Sequence, residues 1–142
     1  MGLNVLVVDD SAVMRAMIVR TLRLTGLPLG TVSQAGSAEE GLDILARDWI
    51  DLALVDLNMP GMGGEEMIVR VRQTPSIADL MVVVVSSESC QTRIDRLRET
   101  GAAFVHKPFE PVRLRQIIDN LMGAADGEQD PTGATTDFSF DF

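Results

Sequence analysis

Short apolar runs of β type alternate along this chain with amphipathic stretches of helical period. The predicted strands cover residues 4–8, 32–35, 52–56, 81–86 and 103–106. Such an alternation is typical of an α/β fold built on a parallel sheet. The first, third and fourth runs are apolar on both faces, which predicts that these strands lie at the centre of the sheet.

Five helices are predicted, one after each strand. They are expected to begin near Ser11, Ser37 or Ala38, Gly64, Cys90 and Pro111. Serine is a favourable N-cap, and proline suits the first helical turn. Each helix is short enough to connect two neighbouring parallel strands.

The composition fits a single cytoplasmic domain. The chain has 142 residues, 46% of them hydrophobic, which is enough for one core. It has no run of roughly 18 apolar residues and no secretory signal pattern, so we predict a cytoplasmic location without membrane insertion. The single cysteine, Cys90, excludes an internal disulfide and a cysteine-based zinc site.

Acidic charge is concentrated at the end of the chain. The net charge is −9, and residues 123–142 hold five acidic and no basic residues. We therefore predict a folded domain over residues 1–122, and direct binding of nucleic acid is not expected. Residues 123–142 are expected to form an acidic, disordered tail. The tail ends in Phe138, Phe140 and Phe142, so it is either only flexible or a short motif that docks on a partner.

Reactive side chains stand where the apolar runs end. Asp9 and Asp10 follow the first run, Asp56 ends the third, Ser86 ends the fourth and Lys107 follows the fifth. In an open parallel sheet, ligands bind outside the carboxyl ends of the strands. Two carboxylates about 4 Å apart repel by roughly 4 kcal/mol at an effective dielectric near 20, so such a cluster raises a pKa or binds a cation. Oxygen ligands favour Mg²⁺, and a lysine suits a phosphate.

The same residues carry a family resemblance. The segments Val8-Asp9-Asp10-Ser11, Asp56-Leu57-Asn58-Met59-Pro60-Gly61-Met62-Gly63-Gly64, Ser86-Ser87-Glu88 and Lys107-Pro108-Phe109 resemble the motifs of CheY-like response-regulator receiver domains. The resemblance runs in order from about residue 3 to 122. It implies a doubly wound, flavodoxin-like sheet of five parallel strands in the order 2-1-3-4-5 with five helices.

The resemblance implies a role for each residue of the cluster. Asp56 would accept a phosphoryl group from a histidine kinase or a phosphotransfer protein. Mg²⁺, or Mn²⁺ in its place, would be held by Asp10 and Asp56 directly, by Asp9 mainly through water, and by the backbone carbonyl of Asn58. Lys107 would bridge the phosphoryl group and an acidic neighbour. A cis peptide bond between Lys107 and Pro108 would aim the lysine side chain inward. The role implied for Asp56 is chemically reasonable, because an ionised carboxylate can attack phosphorus.

Four further positions have implied roles in switching. Ser86 matches a hydroxyl that moves to a phosphoryl oxygen, and Phe104 matches an aromatic side chain that swings inward behind it. Phe104 lacks the hydroxyl of the tyrosine found in chemotaxis proteins. Asn58 and Glu88 occupy two variable positions that tune self-dephosphorylation, and this pair is similar to that of fast-cycling chemotaxis members.

The leading interpretation is a stand-alone response regulator in a two-component or chemotaxis-type phosphorelay. It would act as a monomer and bind a downstream protein through the surface of helix 4, strand 5 and helix 5. One alternative is an adaptor of the same fold that is never phosphorylated. Another is an aspartyl-phosphate phosphohydrolase, against which Asn58 counts, because such enzymes usually carry a second aspartate at that position.

Two groups of side chains outside the motifs are interpreted less specifically. Arg93 and Arg96 on the fourth helix, with Arg113 and Arg115 on the fifth, form either a solvated face or part of the partner-docking surface. Trp49 is interpreted as a packing or strand-flanking residue, seven residues before Asp56 and roughly 23 Å from it along an extended strand.

Overall fold

The fold is a five-stranded parallel sheet covered by helices on both faces. The computed structural model describes residues 2–125. The strands are β1 (Leu3–Val8), β2 (Leu29–Ala35), β3 (Leu52–Asp56), β4 (Met81–Ser86) and β5 (Ala103–His106). Their order is β2-β1-β3-β4-β5, and every neighbouring pair is parallel. The predicted fold class and strand order are confirmed.

The helices begin close to the predicted positions. They are α1 (Ala12–Arg23), α2 (Ala38–Arg47), α3 (Gly64–Gln73), α4 (Gln91–Glu99) and α5 (Pro111–Ala125), with a 3₁₀ turn over Pro75–Ile77. The hydroxyl oxygen of Ser11 accepts the Met14 N–H at 3.1 Å, and that of Ser37 accepts the Glu40 N–H at 3.1 Å. Each serine thus satisfies one amide that the first helical turn leaves unpaired.

Two hydrophobic cores lie on opposite faces of the sheet. Alternate strand residues supply them, so that Val5 and Val7 face one core while Leu6 and Val8 face the other. Helices α1 and α5 cover the first core, and α2, α3 and α4 cover the second. Burial on both faces explains why the central strands read as continuous apolar runs.

The edge strand and the last helix are longer than predicted. β2 begins at Leu29 rather than at residue 32 because its first residues pair with β1, and the Thr31 N–H donates to the Asn4 side-chain oxygen at 2.9 Å. α5 continues to Ala125, three residues past the predicted domain end. The rest of the predicted tail lies outside the described residues. Within residues 2–125, no helix combines the length and apolar character needed to cross a bilayer.

Trp49 lies on the surface beside β3. Its side chain is 76% exposed, and its Nε1–H donates to an Asp51 carboxylate oxygen at 2.9 Å. The strand-flanking interpretation is correct and the packing interpretation is wrong, because the bend before β3 turns the indole out of the core.

Candidate functional site

The carboxyl edge of the sheet brings the predicted site residues together. Because β1, β3, β4 and β5 are consecutive neighbours, Asp9, Asp56, Ser86 and Lys107 follow or end adjacent strands. Asp10 follows Asp9 in the loop that leads to α1. β2, which contributes no predicted site residue, lies at the edge of the sheet opposite to β5.

Three carboxylates form one compact cluster. Each of Asp9, Asp10 and Asp56 offers an oxygen atom, and these oxygens all lie within 4.8 Å of one another. Asp9 and Asp56 are 2% and 6% exposed, whereas Asp10 is exposed. Burying two carboxylates side by side is costly unless a cation accompanies them.

Lys107 supplies one such cation from β5. Its Nζ lies 3.3 Å from Asp56 Oδ1, to which it donates a hydrogen bond, and 3.7 Å from Asp9 Oδ2. The peptide bond between Lys107 and Pro108 is cis, as the resemblance implied. The Lys107 N–H donates to the Ser86 carbonyl at 2.9 Å, so β5 remains paired with β4 up to the site.

Lys107 only partly offsets the effects of burial and of the neighbouring carboxylates on Asp56. Burial, followed by the Asp9 carboxylate, raises the pKa of Asp56, while Lys107 opposes this shift by its charge and its hydrogen bond. Asp10 raises the pKa further. One ammonium group is therefore insufficient for three carboxylates, and the cluster is suited to a further positive charge.

The oxygen atoms of Asp9 show where that charge fits. Asp9 Oδ1 accepts the Ser11 N–H at 2.9 Å. Asp9 Oδ2 is buried without a hydrogen-bond donor in the described part of the chain. A buried carboxylate oxygen that lacks a donor, in a cluster of oxygen ligands only, fits a hard divalent cation or its bound water. Asn58 is exposed just beyond β3, and the role of its carbonyl stays a prediction.

Ser86 is held at the end of β4. It is 1% exposed, and its Oγ accepts the Glu88 N–H at 3.0 Å. The Glu88 side chain points to other partners, since its carboxylate accepts the Cys90 N–H at 2.9 Å and pairs with Arg93 at 2.8 Å. The proposed tuning role of Glu88 stays a prediction.

Phe104 is already inside the protein. It is 0% exposed, and its ring packs edge-on against His106 with centroids 4.7 Å apart. A phenyl ring without a hydroxyl gains nothing from an exposed position. The inward position expected of a switched state is thus occupied in the unmodified chain, and the role of Phe104 in switching stays a prediction.

Two supporting residues were not found from the sequence. A Cβ on Gly64 would lie 2.5 Å from the Asp56 carbonyl oxygen, so only glycine permits this approach of α3 to the end of β3. Arg15 donates to the Asp9 carbonyl at 2.7 Å and to the Gln34 side chain at 3.1 Å, which fixes the loop that carries Asp9 and Asp10. The repeated glycines after Asp56 could have indicated the role of Gly64, whereas nothing in the sequence indicated the role of Arg15.

The arginines of α4 differ in environment. Arg96 has a side chain 64% exposed, which agrees with a solvated face. Arg93 is 29% exposed and contacts both Glu65 and Glu88, so the solvated interpretation is wrong for this residue. The sequence did not reveal this pairing of Arg93, because Glu65 belongs to α3 and contacts α4 only in the folded protein.

Comparisons with known proteins agree with this fold. Residues 5–119 match the family model of the response regulator receiver domain. The two-component response regulator ARR6 of Arabidopsis thaliana is 35% identical over 133 residues, which cover 87% of this chain and 72% of ARR6. A chemotaxis protein CheY homolog of Campylobacter jejuni is 30% identical, covering 89% of this chain and 97% of the homolog. The structure of Vibrio cholerae chemotaxis protein CheY4 is 27% identical with a TM-score of 0.75, covering 85% of this chain and 99% of that one.

The fold and the acidic edge define a CheY-like receiver domain of the doubly wound type. The chain belongs to the response regulator receiver domain family, whose members act in two-component signalling.

Proposed function

We propose that this chain is a phosphorylation switch in which Asp56 accepts a phosphoryl group from a phosphohistidine of a histidine kinase or phosphotransfer protein. The observation that carries the proposal is the cluster of Asp9, Asp10 and Asp56 with Lys107 on one sheet edge, including a buried Asp9 oxygen that has no hydrogen-bond donor among residues 2–125.

The chain's own residues account for most of the reaction. An ionised Asp56 oxygen attacks phosphorus, an O–P bond forms, and the P–N bond to the donor imidazole breaks. The electron pair of that bond stays on the imidazole nitrogen, which takes up a proton. Lys107 is placed to hold an anionic phosphoryl oxygen, and the Ser86 hydroxyl is a further hydrogen-bond donor on the neighbouring strand.

Asp9, Asp10 and Asp56, with the Asn58 carbonyl, would hold Mg²⁺, and Mn²⁺ could replace it because it accepts the same oxygen ligands. When bound, the metal ion supplies positive charge for the phosphoryl oxygens. In the same proposal Ser86 and Phe104 relay the phosphorylated state, while Asn58 and Glu88 set how long it lasts.

The switch would act by binding another protein. We infer that the surface of α4, β5 and α5 is the docking face and that the chain acts as a monomer. A cytoplasmic location stays a prediction.

Intact mass after incubation with acetyl phosphate tests the proposal. We expect one phosphoryl adduct that requires Mg²⁺ or Mn²⁺ and is stable in acid but labile in base. Asp56→Asn should show no adduct, because an amide is not a nucleophile toward phosphorus. Asp51→Asn is the matched control, since Asp51 precedes β3 at the opposite edge of the sheet, and it should be phosphorylated as wild type.

A wild-type protein that binds Mg²⁺ but forms no adduct after rapid quenching would contradict the proposal. That result would favour the adaptor that acts without phosphorylation. An adduct that persists in Asp56→Asn would mean that another residue is the acceptor.

A further inference from the structure

One arginine joins the first turn of α3 to the loop after β4 at the proposed phosphorylation site. Glu65 lies in the first turn of α3, directly after the loop that follows Asp56. Glu88 lies in the loop between β4 and α4 that follows Ser86. Arg93 of α4 reaches both carboxylates.

The contacts of this cluster are short. Arg93 Nε donates to Glu65 Oε1 at 2.9 Å, and Arg93 Nη1 donates to Glu88 Oε1 at 2.8 Å. The side chains of Arg93 and Glu88 are only 29% and 18% exposed. Arg96, one turn later, approaches Glu65 alone, at 3.7 Å, and is 64% exposed. The cluster therefore holds two carboxylates and two guanidinium groups, of which Arg93 pairs with Glu88.

Glu88 is close enough to the site for its charge to matter. Asp56 pairs with Val85 across β3 and β4, which makes Ser86 the next residue on the adjacent strand. The Glu88 N–H is bonded to the Ser86 hydroxyl. Since neighbouring strands are about 4.8 Å apart, the Glu88 backbone lies on the order of 10 Å from the Asp56 carboxyl.

The local charge at this edge disfavours another bare anion. Three carboxylates face one ammonium group there before any phosphoryl group arrives. The Cys90 N–H, and then Arg93, lowers the pKa of Glu88, which is ionised at neutral pH. An uncompensated Glu88 would repel an anionic phosphodonor as well as the phosphoryl group on Asp56.

We propose that Arg93 is a charge-compensating, positioning residue of the phosphorylation site: by pairing with Glu88 and Glu65 it neutralises and holds the Glu88 carboxylate, and so permits phosphoryl uptake at Asp56. The proposal rests on the function proposed above. Arg93 acts through Glu88 and does not touch the phosphoryl group.

The rate of adduct formation with acetyl phosphate and Mg²⁺ at low ionic strength tests this role. Arg93→Gln should be slower than wild type by about three- to fivefold, the effect of one extra negative charge at this separation. Arg96→Gln is the matched control: it removes the same charge one helical turn away but leaves Glu88 paired, and its rate should stay near that of wild type. In about 0.5 M KCl, where charges are screened over a few ångströms, the Arg93→Gln deficit should shrink.

A second variant separates charge from packing. Glu88→Gln introduced into Arg93→Gln should restore the initial rate of adduct formation, because the repelling carboxylate is gone. The initial rate is read before adduct hydrolysis, which Glu88 is proposed to tune, becomes significant. Simple loss of structure would not be repaired by a second substitution in the same network. Arg93→Lys, which retains the charge, should lie near wild type and serves if Arg93→Gln unfolds.

The outcomes distinguish this inference from the proposed function. If wild type forms no adduct, the proposed function fails and the inference fails with it. If wild type is phosphorylated but Arg93→Gln matches it, Arg96→Gln slows as much, or Glu88→Gln gives no recovery, the role of Arg93 is overturned and the switch stands.

Discussion

The Asp56 carboxyl lies where burial and neighbouring charge act in the same direction. Its 6% exposure and the adjacent Asp9 carboxylate both favour the protonated form, and Lys107 compensates only in part. The features on which the proposed metal-assisted reaction at Asp56 depends should therefore make the metal-free folded protein less stable at neutral pH. Sites that bind charge commonly carry such a cost.

The raised pKa of Asp56 predicts a stabilising substitution. A carboxyl group with a raised folded-state pKa imposes no penalty below its unfolded value, 3.8, and the full penalty above its folded value. In EDTA at pH 7, Asp56→Asn should therefore raise Tm by a few degrees, and the gain should vanish as the pH falls toward 4. Thermal melts across pH, with and without Mg²⁺, measure this.

Mg²⁺ provides the control for that experiment. It should raise the Tm of wild type more than that of Asp56→Asn, because the variant lacks one of three carboxylates. A variant less stable than wild type in EDTA at pH 7 would show that the pair between Asp56 and Lys107 outweighs the cost of burial.

At the scale of elements, Arg72 joins α3 to two neighbouring segments. Its guanidinium group donates to the Thr100 carbonyl after α4 at 2.7 Å, and to the Ala78 and Leu80 carbonyls before β4 at 2.9 and 2.6 Å. Burial lowers the pKa of Arg72, against the opposing effect of Asp79. One charged group thus satisfies three carbonyls at the amino ends of β4 and β5.

Removing this group should destabilise the protein without touching the site. Arg72→Ala is expected to cost about 2 kcal/mol of unfolding free energy, since three carbonyls lose a charged donor. Arg70→Ala, which removes an exposed ion pair with Glu66 on the same helix, should cost less than about 0.5 kcal/mol. Urea unfolding of both variants checks the difference. Equal losses would mean that solvent readily replaces Arg72.

For the whole molecule, the sheet separates two differently built edges. The carboxyl edge carries the acidic cluster. The amino edge is closed by neutral and singly charged contacts, in which Asn4 donates its N–H to the Asp51 carboxylate at 2.8 Å while Trp49 donates to the other carboxylate oxygen. β3 runs between the two edges, and its five residues are all buried.

This separation predicts that Trp49 does not report on the metal site. Titration with Mg²⁺ should raise Tm while leaving Trp49 emission nearly unchanged, because binding at the carboxyl edge leaves the bend before β3 intact. Asp51→Asn should change the emission, which shows that the probe responds to its own surroundings. Strong quenching by Mg²⁺ would contradict the separation and indicate a second metal site near Trp49.

The amino-acid sequence was sufficient to predict the fold class, the strand order through its family motifs, and which side chains gather at the carboxyl edge of the sheet. This was possible because the apolar runs and the reactive side chains that end them can both be recognised from short stretches of sequence. A parallel strand buried on both faces must be an apolar run, and a functional side chain must stand where that run ends, as Asp56 and Lys107 do. β2 was predicted less well, because this edge strand is only partly buried and its first residues, Leu29, Gly30 and Thr31, do not form an apolar run.

The contacts that support the candidate site became apparent in the folded protein. Arg15 and Arg93 contact groups that are distant in sequence; Arg93 and Glu65, for example, are 28 positions apart. Gly64 is required by the close approach of two backbone segments. Periodicity carries no record of such contacts, since an arginine on a polar helix face reads the same whether it is solvated or paired. The inward position of Phe104 was also decided in three dimensions, because packing against the core and His106 sets it.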